Sequence, residues 1–211
     1  MKKVIALLLA LCVMLPAAIA ADNNKALQKA RNKERKEVMK RYKKEGWKLF
    51  GSSRSLEVVL LSHWAKLDKE GEDTREVMGV STRSKSKNVG LQMSINNACL
   101  TYAQQAGSQL KGRVISDLAG DGIDTDAEFE HFYAAYERLV EKEIKGEMEQ
   151  SYSIIRDNPD GTYEIETYFT VSENAATKAR LRALENALKE SEAAQKYADK
   201  VSQFVREGFN N

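Results

Sequence analysis

The sequence predicts an α+β fold: a small, three-stranded, largely antiparallel sheet packed by a long alanine-spaced helix. An N-terminal helical extension and a long C-terminal helix flank it. Three observations predict this. First, Tyr163, Ile165, Thr167, Phe169 and Val171 alternate with Glu164, Glu166, Tyr168 and Thr170, the period of a strand with one buried face. Second, Asn158-Pro159-Asp160-Gly161 precedes that strand, with proline presetting φ early in a turn and glycine accepting positive φ at its end. Third, Leu91, Ile95, Ala98, Tyr102, Ala106, Leu110 and Val114 recur at helical spacing, with Ala103 and Gly107 keeping that helix slim.

The elements follow in order. Lys2 and Lys3, an apolar run from Val4 to Leu15 and the small-x-small Ala18-Ile19-Ala20 form a bacterial-type signal peptide over residues 1–20, cut after Ala20. The run is too short for a membrane span, and Leu11 stands before Cys12 where a lipoprotein signal needs a small residue. The expected product is a soluble exported protein, periplasmic or at the cell surface, not lipidated and with no transmembrane segment.

Residues 21–74 form an extension. Residues 22–45 read as a polar helix carrying ten Lys or Arg between Lys25 and Lys44 against Glu34 and Glu37, with a thin apolar stripe through Leu27, Ala30, Val38, Met39 and Tyr42. Such a helix docks on an anionic envelope surface or a partner, or is a solvated helix screening the chain's own acidic part. Gly46 ends it, and residues 47–50 are briefly extended. Ser55 then caps a helix to about Lys69, with Leu56, Val59, Leu60, His63, Trp64 and Leu67 on one face. Trp47 and Trp64 read as anchors of this extension, with a ligand surface as the other reading.

Residues 75–211 form the core domain. Residues 75–82 are its first strand, with Val77 and Gly79 on one face and Met78 and Val80 on the other. The alanine-spaced helix covers 88–118. Thr125-Asp126-Ala127-Glu128 is a capping box opening a helix whose buried side is Phe129, Phe132, Tyr133, Tyr136, Leu139, Val140 and Ile144. Strands follow at 147–156 and 162–171. Ser172 caps a last helix that continues to Arg206, long enough to project beyond the core and lined by Leu181, Leu184, Leu188, Ala194, Tyr197, Val201 and Phe204. The order of strands in the sheet stays open.

Charge and chemistry are restrictive. Without Lys2 and Lys3, 31 basic residues face 31 acidic ones, so no global attraction to nucleic acid exists. Cys99 is alone once Cys12 leaves with the leader, which precludes an internal disulfide; it reads as a buried inert thiol, with a reactive or intermolecular thiol as the other reading. Only His63 and His131 are present, and no nucleophile elbow or phosphate-cradling loop occurs. Asp117, Asp121, Asp124, Asp126 and Glu128 crowd one joint. However, Phe129 and Ala135 stand where a calcium loop needs glycine and a bidentate glutamate, so a helix-dipole effect on carboxylates is the simpler reading. No catalytic, cofactor-binding or metal-ligating residue is assigned, and no cofactor is expected. Residues 117–149 carry eleven acidic and three basic side chains, which invites contact with the basic helix within one molecule or between two.

The order strand, helix, helix, strand, strand, helix resembles the LPP-twenty-type outer-membrane lipoprotein family, whose fold is also that of the N-terminal domain of a flagellar H-ring assembly protein. The matching features are Gly79 in the first strand, the helix through Ala98, Ala103 and Ala106, and the Asp160-Gly161-Thr162 turn, over residues 75–190. The resemblance implies a small envelope module acting through protein contacts, and no catalytic residue is carried over from it. The expected role is therefore non-enzymatic binding of an envelope protein, of an anionic surface or of itself, with no nucleic acid. One alternative is an envelope-polymer hydrolase using the acidic loop and His131. Another is a calcium-dependent adhesion module acting through residues 117–128.

Overall fold

The hairpin β3 (Glu149–Asp157) and β4 (Tyr163–Ser172) is closed by the expected turn. Gly161 has φ +78°, and its N–H donates to the Asn158 carbonyl at 3.1 Å. Asp160 accepts from the Thr162 amide at 3.1 Å and hydroxyl at 2.6 Å, and these bonds hold its carboxyl below the usual carboxylate range. The computed structural model of the chain describes residues 25–118 and 125–208, so the leader expected at 1–20 lies outside the described residues.

The chain divides between Trp47 and Lys48 into two compact units. The first contains helix α1, residues 25–44, followed by Trp47, whose ring meets Tyr42 edge-on at 6.1 Å and whose Nε1 donates to Glu45 at 3.0 Å. The second contains β1 (Lys48–Phe50), α2 (Leu56–Glu70), β2 (Thr74–Ser84), α3 (Lys87–Leu118), α4 (Thr125–Ile144), the β3–β4 hairpin, α5 (Glu173–Leu188), α6 (Glu192–Lys196) and α7 (Ala198–Glu207).

The sheet has four strands, not three, in the order β1-β3-β4-β2, every pair antiparallel. The added strand is β1, the briefly extended segment of the sequence reading. Three residues are too few to show a period, and pairing with Ser153–Ile155 of β3 makes it a strand. The first core strand joins β4, which completes the order left open above.

One face of the sheet is closed by α3. Gly79 on β2 makes this possible: a Cβ there would stand 1.9 Å from the Ser94 carbonyl oxygen and 2.4 Å from the Ala98 nitrogen. The alanine spacing of α3 and the missing side chain of Gly79 are therefore two halves of one close contact. Beneath α3, Val77, Phe169 and Val171 join Ala98, Tyr102 and Ala106 in the core, and α4 and α5 enlarge it with Phe129, Phe132, Tyr136, Ala179 and Leu184. Fully burying side chains such as Phe129 or Phe132 contributes about 1.5–3 kcal/mol each. Cys99 is buried, free, and its thiol is pushed up by burial.

The C-terminal segment departs from expectation. The helix does not run on to Arg206 and project. It breaks at Lys189–Ser191, where Ser191 caps α6 by accepting from the Ala194 amide, and again at Tyr197. Helix α7 then packs on α3 and α5. The cause is phase. Leu188 and Ala194 are six residues apart, about 240° round a helix, so an unbroken helix could not bury both on one side. The break restores the phase, and Ala194, Val201 and Phe204 all reach the core.

Candidate functional site

The opposite face of the sheet mixes polar and apolar side chains, among them Glu76, Tyr152, Ile154 and Tyr168, and α2 lies against part of it. Ser55 caps α2 as expected, accepting from the Val58 amide at 3.3 Å. The helix lays Val59, Leu60 and His63 on the sheet. His63 is 2% exposed, an unusual setting for a polar ring. Both ring nitrogens are satisfied across the strands: Nδ1 lies 2.8 Å from Ser151 Oγ on β3, and Nε2 is in close hydrogen-bond contact with Glu76 on β2. In a neutral imidazole facing the acceptor-only carboxylate of Glu76, Nε2 carries the proton and Nδ1 accepts from the Ser151 hydroxyl. Tyr152 meets the imidazole edge-on at 5.2 Å and stacks on Tyr168 at 4.5 Å, so the ring is seated on an aromatic floor.

Ser151 reaches this position through an irregularity. The β3–β4 register slips between Gln150, opposite Phe169, and Tyr152, opposite Tyr168. Ser151 is the extra residue of this bulge, and a bulge re-aims the side chain it carries.

A groove of about 490 Å³ runs alongside. Its walls are Leu49 and Phe50 of β1, Gly51, Ser52 and Arg54 after it, Val59, Ser62, His63 and Lys66 of α2, and Glu149 to Ser153 of β3. Lys66 and Glu149 pair across it at 2.6 Å. The ladder from β1 reaches only Ser153, so β3 from Glu149 to Tyr152 continues beyond its neighbour along the groove.

A polar row begins here at exposed Gln150 and runs inward to α3. Gln150 Nε2 donates to Ser153 Oγ at 3.0 Å, Ser153 shares Thr167 Oγ1 at 3.0 Å, and Thr167 meets Ser94 Oγ of α3 at 2.7 Å. A second buried cluster lies behind α3. Arg180 donates to Tyr102 at 2.6 Å and Glu173 at 2.5 Å, and Glu173 also pairs with Arg75 at 3.3 Å. Burial works against the Arg180 charge, but the Tyr102 and Glu173 oxygens outweigh it and raise its affinity for the proton. This cluster ties α5 to α3 and β2.

The residues singled out from sequence fall elsewhere. His131 is exposed on α4, and among the described residues no group of three His, Cys, Asp or Glu side chains could hold a metal. Asp117 is exposed near the end of α3, while Asp121 and Asp124 and the side chains of Asp126 and Glu128 lie outside the described residues. Sequence reading placed His63 on the buried face of its helix but missed its partners, which lie 13 and 88 residues away. Among the described residues, no helix is long and apolar enough to cross a membrane. Comparison with protein-family models, curated proteins and solved structures returned no match.

Proposed function

We propose that this chain is an exported, non-enzymatic module of the bacterial envelope that binds a protein partner by taking an extended segment alongside β3. The observation carrying this reading is the mismatch of β1 and β3: the β1 ladder stops at Ser153 while Glu149–Tyr152 run on along the groove. Strand addition draws affinity from main-chain hydrogen bonds and specificity from alternate side chains. Arg54, Lys66 and Glu149 line the place where those side chains would lie. The leader of residues 1–20 and the resemblance to the envelope lipoprotein family support the compartment.

Site-specific photocrosslinking in the producing cell tests it. A photoreactive side chain at Ser52, in the groove, is expected to capture a discrete protein, and one at exposed Lys178 on α5 is not. Adding that partner to the purified protein should slow amide exchange at Gln150–Tyr152. Equal capture at both positions, or no protection of those amides, would refute strand addition.

A second reading rests on Ser151, His63 and Glu76. Ser151 Oγ is placed to attack the carbonyl carbon of an ester as its proton passes to His63 Nδ1, which hands it to the departing alcohol oxygen as the acyl C–O bond breaks, with Glu76 holding the Nε2 proton. Water would then release the acyl group from Ser151. A fluorophosphonate probe that labels the native protein but not Ser151→Ala would support a hydrolase. An unlabelled native protein removes that reading.

A further inference from the structure

Helix α1 sorts its cations by face. At 100° per residue, Lys25, Lys29, Lys33, Lys36, Lys40 and Lys43 all fall within an arc of about 80°, and no other residue of 25–44 falls there. The arginines Arg31, Arg35 and Arg41 and the apolar Leu27, Val38 and Tyr42 project from other sides of the helix. All six lysines are exposed. Lys33, on the margin of this row, pairs with Glu37 at 3.9 Å. The result is a straight row of six ammonium groups about 27 Å long.

We infer that this lysine face lies flat on an anionic phospholipid bilayer. The argument is geometric and compositional. A plane of phosphate headgroups meets all six charges of a straight row at once, whereas the phosphates of a duplex wind away from it. Protein interfaces are depleted in lysine and enriched in aromatic anchors, and this face carries lysine alone. Lysine is a compact point charge on a flexible stem, suited to a diffuse negative potential; bidentate recognition of a fixed group uses arginine. No apolar side chain shares the arc, so the contact is electrostatic and leaves the acyl region untouched. This inference concerns the first unit and is independent of the β3 groove.

The test uses the mature chain, from Ala21, with sedimented vesicles of phosphatidylcholine alone or with about one third phosphatidylglycerol. Binding is expected only to the anionic vesicles and is expected to vanish as salt rises from 0.05 to 0.5 M, because screening shortens the reach of each charge to a few ångströms. Each lysine near such a surface is worth roughly a fivefold change in partition. The triple variant Lys29→Gln, Lys33→Gln, Lys36→Gln should therefore bind roughly a hundredfold more weakly, with unchanged circular dichroism. A charge-matched control, Lys85→Gln, Lys178→Gln, Lys196→Gln, alters exposed lysines of the second unit and should bind within about twofold of wild type. Equal loss in both triples would overturn the inference. So would absence of binding to the anionic vesicles at 0.05 M salt, or salt-sensitive binding to a DNA duplex or an acidic protein in their place.

Discussion

The two faces of the sheet are built by opposite means. On the α3 face, packing depends on what is missing: no side chain at Gly79, and small ones at Ala98, Ala103 and Ala106. On the α2 face, packing depends on what is added, an imidazole clamped between Ser151 and Glu76 over two stacked tyrosines. The first arrangement tolerates almost no change in volume. The second demands hydrogen-bond partners for its polar groups, and it borders the open groove. The difference separates a face sealed by close packing from a face that borders the groove.

The sharpest way to break this comparison is Gly79→Val. Its Cβ alone would overlap the Ser94 carbonyl and the Ala98 nitrogen, so α3 must lift from β2. A loss of about 3 kcal/mol or more in denaturant unfolding is expected. His63→Leu comes next. It leaves the Ser151 hydroxyl and the Glu76 carboxylate without their ring partner, at about 2 kcal/mol. If His63→Leu costs as much as Gly79→Val by the same measurement, the α2 face is as structural as the other and the contrast fails. Ser151→Ala, which removes one hydrogen bond at a half-buried bulge, should cost only about 1 kcal/mol in the same unfolding assay.

How far the two faces were legible follows from range. The α3 face could be read because its signal is local: the spacing of alanines in one helix and the alternation of Val77 and Gly79 in one strand. The α2 face could not. Its half-buried serine sits out of period because of the bulge, and its histidine meets groups from two separate strands. Alternation in β4 also understated burial. Tyr168 and Thr170, read as outward-facing, are covered at 8% and 2% exposure, because α2 lies over that side of the sheet. The C-terminal break left a trace in the phase jump between Leu188 and Ala194, and reading those positions as one stripe concealed it.

The smallest effect lies at the β3–β4 turn, distant from both clamps. The Asp160 carboxyl is held below its ordinary value of 3.8, chiefly by the Thr162 hydroxyl and then by its amide. A depressed carboxylate stabilises the fold above its unfolded value, and that contribution fades as pH falls through the folded one. Asp160→Asn should therefore differ slightly from wild type at neutral pH, and melting curves of the two should converge as the pH drops below 3.8. A difference that persists in acid would mean that side-chain shape, not charge, matters at the turn.

The polar row from Gln150 through Ser153 and Thr167 to Ser94 has a consequence for how the strands find one another. Sliding β4 by one residue would turn its apolar side chains to the wrong face, so patterning alone forbids it. Sliding by two would not, since Ile165, Thr167, Phe169 and Val171 would keep their side and simply exchange places. That slip would carry Thr167 away from both serines and leave buried hydroxyls facing hydrocarbon, each costing about 1–3 kcal/mol. The Asn158–Thr162 turn already ties the register of this hairpin, and three small hydroxyls add, inside the core, a distinction that alternation cannot make.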